Sequence, residues 1–85
     1  MEDFEERDDQ QLTNEDDLEM LREDLVGELQ AINQYQEHIE SLASEQAATT
    51  LEHIIADEKE HVAELVKLIE ALDPIQAEKF RKENP

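Results

Sequence analysis

A chain of 85 residues with one glycine, two prolines and no cysteine has room for one domain, cannot use disulfides or thiolate ligands, and is composed for helix. Its formal net charge of −18 excludes nucleic acid as a partner, because phosphates need clustered Lys and Arg. The same charge attracts cations, and it equally keeps a protein soluble in concentrated salt. No apolar run approaches a membrane span and no signal peptide is visible, so a soluble, cytoplasmic protein without a membrane partner is expected.

Residues 1–12 are mostly charged or amide side chains with no apolar period, and are expected to form a disordered acidic tail. Residues 13–85 are expected to form one helical domain. Thr13, followed by Asn14, Glu15 and Asp16, reads as a helix cap with acids at the positive end of the helix dipole. The first helix is expected from Asn14 to Leu42. A turn follows at Ser41–Ser44, with Ser44 as the cap of a second helix from Glu45 to Leu72. Asp73-Pro74 stops that helix and starts a short third one through Arg81, with Asp73 as cap and Gln76 placed for a capping box. The fold class is therefore all-α: an antiparallel two-helix hairpin plus a short C-terminal helix. Such a hairpin cannot enclose a core alone. Small chains of this kind are completed by a metal or by oligomerisation when disulfides are absent.

Two heptad stripes run along the long helices. The first is Leu18, Leu21, Leu25, Glu28, Ile32, Tyr35, Ile39, Leu42, and the second is Ala47, Leu51, Ile54, Glu58, His61, Leu65, Leu68, Leu72. Glu28, Glu58 and His61 interrupt these stripes in their middles. A buried carboxylate without a partner costs several kcal/mol or stays protonated, so the three point to a shared positive charge, most simply a metal ion. Glu58 and His61 stand one turn apart on one helical face. Folding about a turn near residue 44 sets Glu28 level with the space between them. A buried polar layer that fixes helix register is the competing reading, but such layers are usually one residue. Ferritin-like di-iron bundles use one Glu from each of two helices and Glu-x-x-His from each of two others. This chain holds half that set, and two chains packed face to face would supply the whole within a four-helix bundle.

Other residues carry weaker signals. Tyr35, two turns past Glu28, suits either a bond to a ligand carboxylate, redox chemistry or ordinary core packing. His38 and His53 fall beside the stripes and read as partly exposed surface residues, with a second, weaker metal contact as the alternative for His53. Gly27 in mid-helix costs about 1 kcal/mol against Ala, either tolerated or admitting a backbone or metal path beside Glu28. Glu52, Glu60 and Glu64 read as solvated, with a cation-relay role open to those beside an entrance.

The segments Gly27-Glu28-Leu29-Gln30-Ala31-Ile32 through Tyr35, and His53 through Asp57-Glu58-Lys59-Glu60-His61, resemble the two helix motifs of the encapsulated ferritins, cargo proteins of encapsulin nanocompartments. The likeness spans roughly residues 15–82. It implies ferroxidase ligands at Glu28, Glu58 and His61, a di-iron centre shared between two chains, Tyr35 near the iron, and a ring of dimers, typically a decamer, inside an encapsulin shell. Three features depart from that pattern. Gly27 and Gln30 replace acids that form a secondary metal-entry site, and Gln34 replaces a Trp before the Tyr. The terminal run Arg81-Lys82-Glu83-Asn84-Pro85 does not read as a shell-targeting peptide.

Three functions are expected in order. The first is a ferroxidase that oxidises Fe(II) with dioxygen for iron storage or detoxification, with Glu28, Glu58, His61 and Tyr35 as its working residues. The second is a non-catalytic assembly protein stapled by a transition metal. The third is a helical adaptor that uses its acidic tail.

Overall fold

The computed structural model describes residues 2–83, with side chains described from Glu15 to Glu83. It holds three helices and no strand among the described residues: α1 (Glu2–Ser41), α2 (Glu45–Leu72) and α3 (Pro74–Glu83). The expected boundaries of α2 hold, and α3 runs two residues past its expected end. The backbone of α1 passes through the expected cap at Thr13 and begins at Glu2. No proline or glycine precedes Gly27, so the local sequence contains no strong helix breaker there. The acidic tail expected over residues 1–12 lies outside the described side chains.

Residues 42–44 form the turn. Ser44 has extended backbone angles and its Oγ accepts from the Ala47 N–H at 3.0 Å, which satisfies one of the free donors at the start of α2. At the other end, the Asp73 N–H donates to the Ile69 carbonyl at 2.8 Å and closes α2. One Asp73 carboxylate oxygen then accepts from the Gln76 N–H at 3.1 Å, capping α3. Its other oxygen pairs with Arg22 of α1 at 3.0 Å. One residue thus ends one helix with its backbone N–H, starts the next with its side chain and ties both to the first.

The two long helices lie side by side and the molecule is only 14 Å thick, little more than the roughly 10–12 Å diameter of one helix with its side chains. A single layer cannot surround its own core. Only Ile55 and Ile69 are buried among the described residues, while Met20, Val26, Leu29, Leu68 and Ile75 are exposed. The chain exposes 6857 Å², against about 5,200 Å² for a compact folded monomer of this size.

The burial pattern corrects the second stripe. Ile55 and Ile69 lie one position beyond Ile54 and Leu68 of that stripe. The side of α2 that meets α1 follows Ala48, Leu51, Ile55, Glu58, Val62, Leu65 and Ile69, all buried or half-buried. His61 and Leu68 stand on the neighbouring flank and are exposed. Both flanks are apolar over most of their length (Ala47-Ala48, Ile54-Ile55, Leu68-Ile69), so spacing alone does not tell them apart. A helix with so wide an apolar face is one that meets more than one neighbour. On one side of the hairpin, Gln76 and Phe80 of α3 close over Leu25, Val66 and Ile69. The other side has no cover among the described residues.

Candidate metal centre

Glu28 of α1 and Glu58 of α2 are equally distant in sequence from Ala43 at the middle of the turn, so an antiparallel hairpin sets them level. Helical spacing then puts His61 one turn from Glu58 on the same helix. In the structure one ligand atom from each of Glu28, Glu58 and His61 lies within 4.8 Å of the others. His61 Nδ1 is 3.2 Å from Glu58 Oε1 and 3.9 Å from Glu28 Oε1. The Glu58 and Glu28 side chains are 18% and 27% exposed, and that of His61 is 50% exposed. The carboxylates sit at the helix–helix seam and the imidazole stands at the open rim.

This donor set, two carboxylates and an imidazole nitrogen, suits borderline divalent metals such as iron, zinc or manganese. Ligand atoms each about 2.1 Å from one ion are at most about 4.2 Å apart. The group lies within 4.8 Å, and His61 stands 3.2 and 3.9 Å from the two carboxylates, inside that single-ion limit. Three protein ligands from one chain leave any such ion open on the exposed side. With His61 neutral, the group carries two negative charges, which a divalent cation balances.

The three residues line a groove of about 590 Å³ on the uncovered side of the hairpin. Gly27 and Ala31 form its α1 wall, and Leu65 and Leu68 lie along its α2 side. Glu23, Asp24 and Glu64 also line it. Glu64, read from sequence as solvated, is exposed and lines the groove. Glu23 and Asp24 were not legible as groove residues, although Asp24, one turn before Glu28, is the signal that could have found them. Tyr35 stands on the same seam of α1, about 10 Å further along the helix axis, and does not belong to the group of three. His38 and His53 are exposed and outside it, as expected. A Cβ built on Gly27 meets nothing within 4 Å, so no contact inside this chain calls for glycine there. Among the described residues, no helix is long and apolar enough to cross a membrane.

Comparison with known proteins finds two relatives. The chain is 42% identical over 57 residues to the encapsulin nanocompartment cargo protein EncC of Myxococcus xanthus, covering 67% of this chain and 44% of that protein. It is 34% identical over 67 residues to the cargo protein EncB of the same organism, covering 79% of this chain and 42% of that protein. The chain thus spans less than half the length of the curated relatives it matches. No family model matches it. No solved structure matches it. Its sequence relatives are encapsulin nanocompartment cargo proteins.

Proposed function

We propose that this protein is a ferroxidase of the ferritin-like kind, carried as cargo in an encapsulin compartment. The observation that carries the proposal is a half-set of di-iron ligands, Glu28, Glu58 and His61, gathered within 4.8 Å on the uncovered side of a one-layer hairpin. A second copy placed on that side supplies the other half-set and the missing core together, making a four-helix bundle. The cargo relatives support the compartment.

In this reading Fe(II) is the substrate and dissolved dioxygen the oxidant. Each Fe(II) loses one electron, so four Fe(II), two loadings of a two-ion centre, supply the four electrons that one dioxygen takes up with four protons to give two waters. The chain's own part is electrostatic and geometric. The carboxylates of Glu28 and Glu58 hold the ions and favour the more highly charged ferric product. His61 contributes a neutral nitrogen at the rim, next to the groove through which ions arrive. Glu23, Asp24 and Glu64 raise the local cation concentration along that groove. Tyr35 lies too far along α1 to be a ligand and serves, in this scheme, as a nearby redox-active phenol. The dimers assemble into a ring, of ten chains in the family the sequence resembles.

Stopped-flow absorbance after mixing with Fe(II) in air is the direct test. Ferric absorbance should rise faster than in protein-free buffer, and Glu28→Ala and His61→Ala should each reduce the rate to background. An unchanged rate in those variants would sink the proposal. Metal-dependent assembly without oxygen uptake would replace it with a metal-stapled structural protein.

A further inference from the structure

The side of the hairpin away from the groove has a recess of its own. Arg22 and Leu25 of α1, Val66 and Ile69 of α2, and Gln76 and Phe80 of α3 line about 100 Å³ there. Leu25, Val66, Ile69 and Phe80 are apolar and are all buried or half-buried. The two polar residues belong to one clip. The Asp73 carboxylate accepts from the Arg22 guanidinium at 3.0 Å and from the Gln76 N–H at 3.1 Å. That clip pins the first turn of α3, and Phe80, one turn further along, closes over the aliphatic floor.

A water held inside a protein needs about two to four polar partners, and aliphatic and aromatic walls offer it none. No buried side-chain nitrogen or oxygen among the described residues lacks a partner, so no orphaned group at this floor calls for a water or an ion. Apolar cavities of this order stay dry and take up small apolar molecules; one of about 150 Å³ admits benzene or xenon. A smaller space suits a diatomic gas or a single xenon atom.

The recess backs onto the metal centre. Asp24 lines the groove and its neighbour Leu25 lines the recess; Leu65 lines the groove and its neighbour Val66 lines the recess. Leu25 lies one turn before Glu28, about 4.5 Å along α1, and Val66 lies about 7.5 Å past His61 along α2. Only the side chains of the helix–helix seam stand between the two. Rotamer changes of such side chains are fast enough to pass a molecule of two atoms.

We propose that this recess holds dioxygen and supplies it to the metal centre across the seam, while cations arrive by the groove on the opposite side. The inference rests on the ferroxidase reading above and adds how the second substrate reaches the site. The two routes differ in chemistry. Glu23, Asp24 and Glu64 attract a cation into the groove, whereas apolar walls exclude it. Dioxygen carries no charge, gains nothing from that field and is favoured on apolar surface.

Methyl-resolved NMR of the metal-free chain tests occupancy without any oxidation. Dissolved dioxygen is paramagnetic and xenon is not, so the two gases give independent readouts. Dioxygen should broaden the methyl signals of Leu25, Val66 and Ile69 more than those of Val26 and Leu29, although the last two are 52% and 47% exposed. Xenon should shift the same three residues saturably. Val66→Phe fills the recess and should abolish both effects; Val66→Ile, the gentler change, should weaken them and covers the case in which the first variant does not fold. With Fe(II) supplied, either variant should raise the dioxygen level that gives half the maximal rate and leave that for Fe(II) unchanged. Broadening that simply follows exposure, or no saturable xenon shift, would overturn the gas site. An active Val66 variant with parental dioxygen dependence would overturn the supply role. Gas occupancy in a parent chain that oxidises no Fe(II) would overturn the ferroxidase reading and the supply role with it, and would leave the gas site standing.

Discussion

Replacing Glu58 with glutamine should stabilise the protein without metal and destabilise it with metal. The ligand atoms of Glu28, Glu58 and His61 lie within 4.8 Å of one another. Two carboxylate charges no further apart than that repel by at least about 0.9 kcal/mol in water and about 3.5 kcal/mol at an effective dielectric constant near 20. With these side chains 27% and 18% exposed, solvent screens part of the repulsion, and a relief of about 1–2 kcal/mol is expected. Glu58→Gln removes one charge at nearly constant shape, and its amide oxygen can still accept from His61. For a chain of this size about 1 kcal/mol moves the melting temperature by roughly 6 °C. In chelator the variant should therefore melt about 6–12 °C above the parent. Metal at a hundredfold excess over its dissociation constant adds about 2.7 kcal/mol, or roughly 15 °C, to the parent. Most of that gain should be lost in the variant, so the order of the two melting temperatures reverses. Thermal melts followed by circular dichroism, at one fixed chain concentration, measure both arms. A variant that melts below the parent in chelator would refute the reasoning, since it would mean that Glu58 stabilises the fold without a cation.

Three further outcomes follow from the fold. Ile55→Ala and Ile69→Ala remove the two buried side chains and should each cost about 2–5 kcal/mol in denaturant titrations, most of the stability of so small a domain. Asp73→Ala should release α3, losing a cap worth about 1–2 kcal/mol, whereas Arg22→Ala breaks only the exposed ion pair and should cost under about 1 kcal/mol. Faster amide exchange confined to α3 in the first variant and near-parent exchange in the second would check this. Ser44→Ala should lower stability by about 1 kcal/mol through the loss of its bond to Ala47, read by the same melts.

Features encoded within a few residues were legible from sequence. Ser44 and Asp73 cap their helices where the residue types indicate, because a capping bond reaches only three residues along the chain. The clustering of Glu28, Glu58 and His61 was legible for a different reason. Three ionisable residues in an apolar stripe are conspicuous, and equal spacing from the turn brings them level. What depended on neighbours in space was not legible. The Arg22–Asp73 pair joins residues 51 apart, and nothing local marks Arg22 among the other charges of α1. The division of α2 into a flank against α1 and an uncovered flank was hidden because both are apolar, and only burial separates Ile55 and Ile69 from His61 and Leu68. The start of α1 differed because acidic, amide-rich sequence gives no internal stop signal even where it has no apolar face.

The 14 Å thickness of the hairpin also governs how output scales with abundance. Under the proposed shared centre, with half the ligands on each copy, working centres would accumulate with the square of chain concentration while chains are scarce, and only in proportion to it once pairing saturates. Halving a dilute population then removes three-quarters of its active centres. In that proposal, synthesis in small amounts yields an inert acidic helix pair, and oxygen chemistry switches on only where many copies are held together.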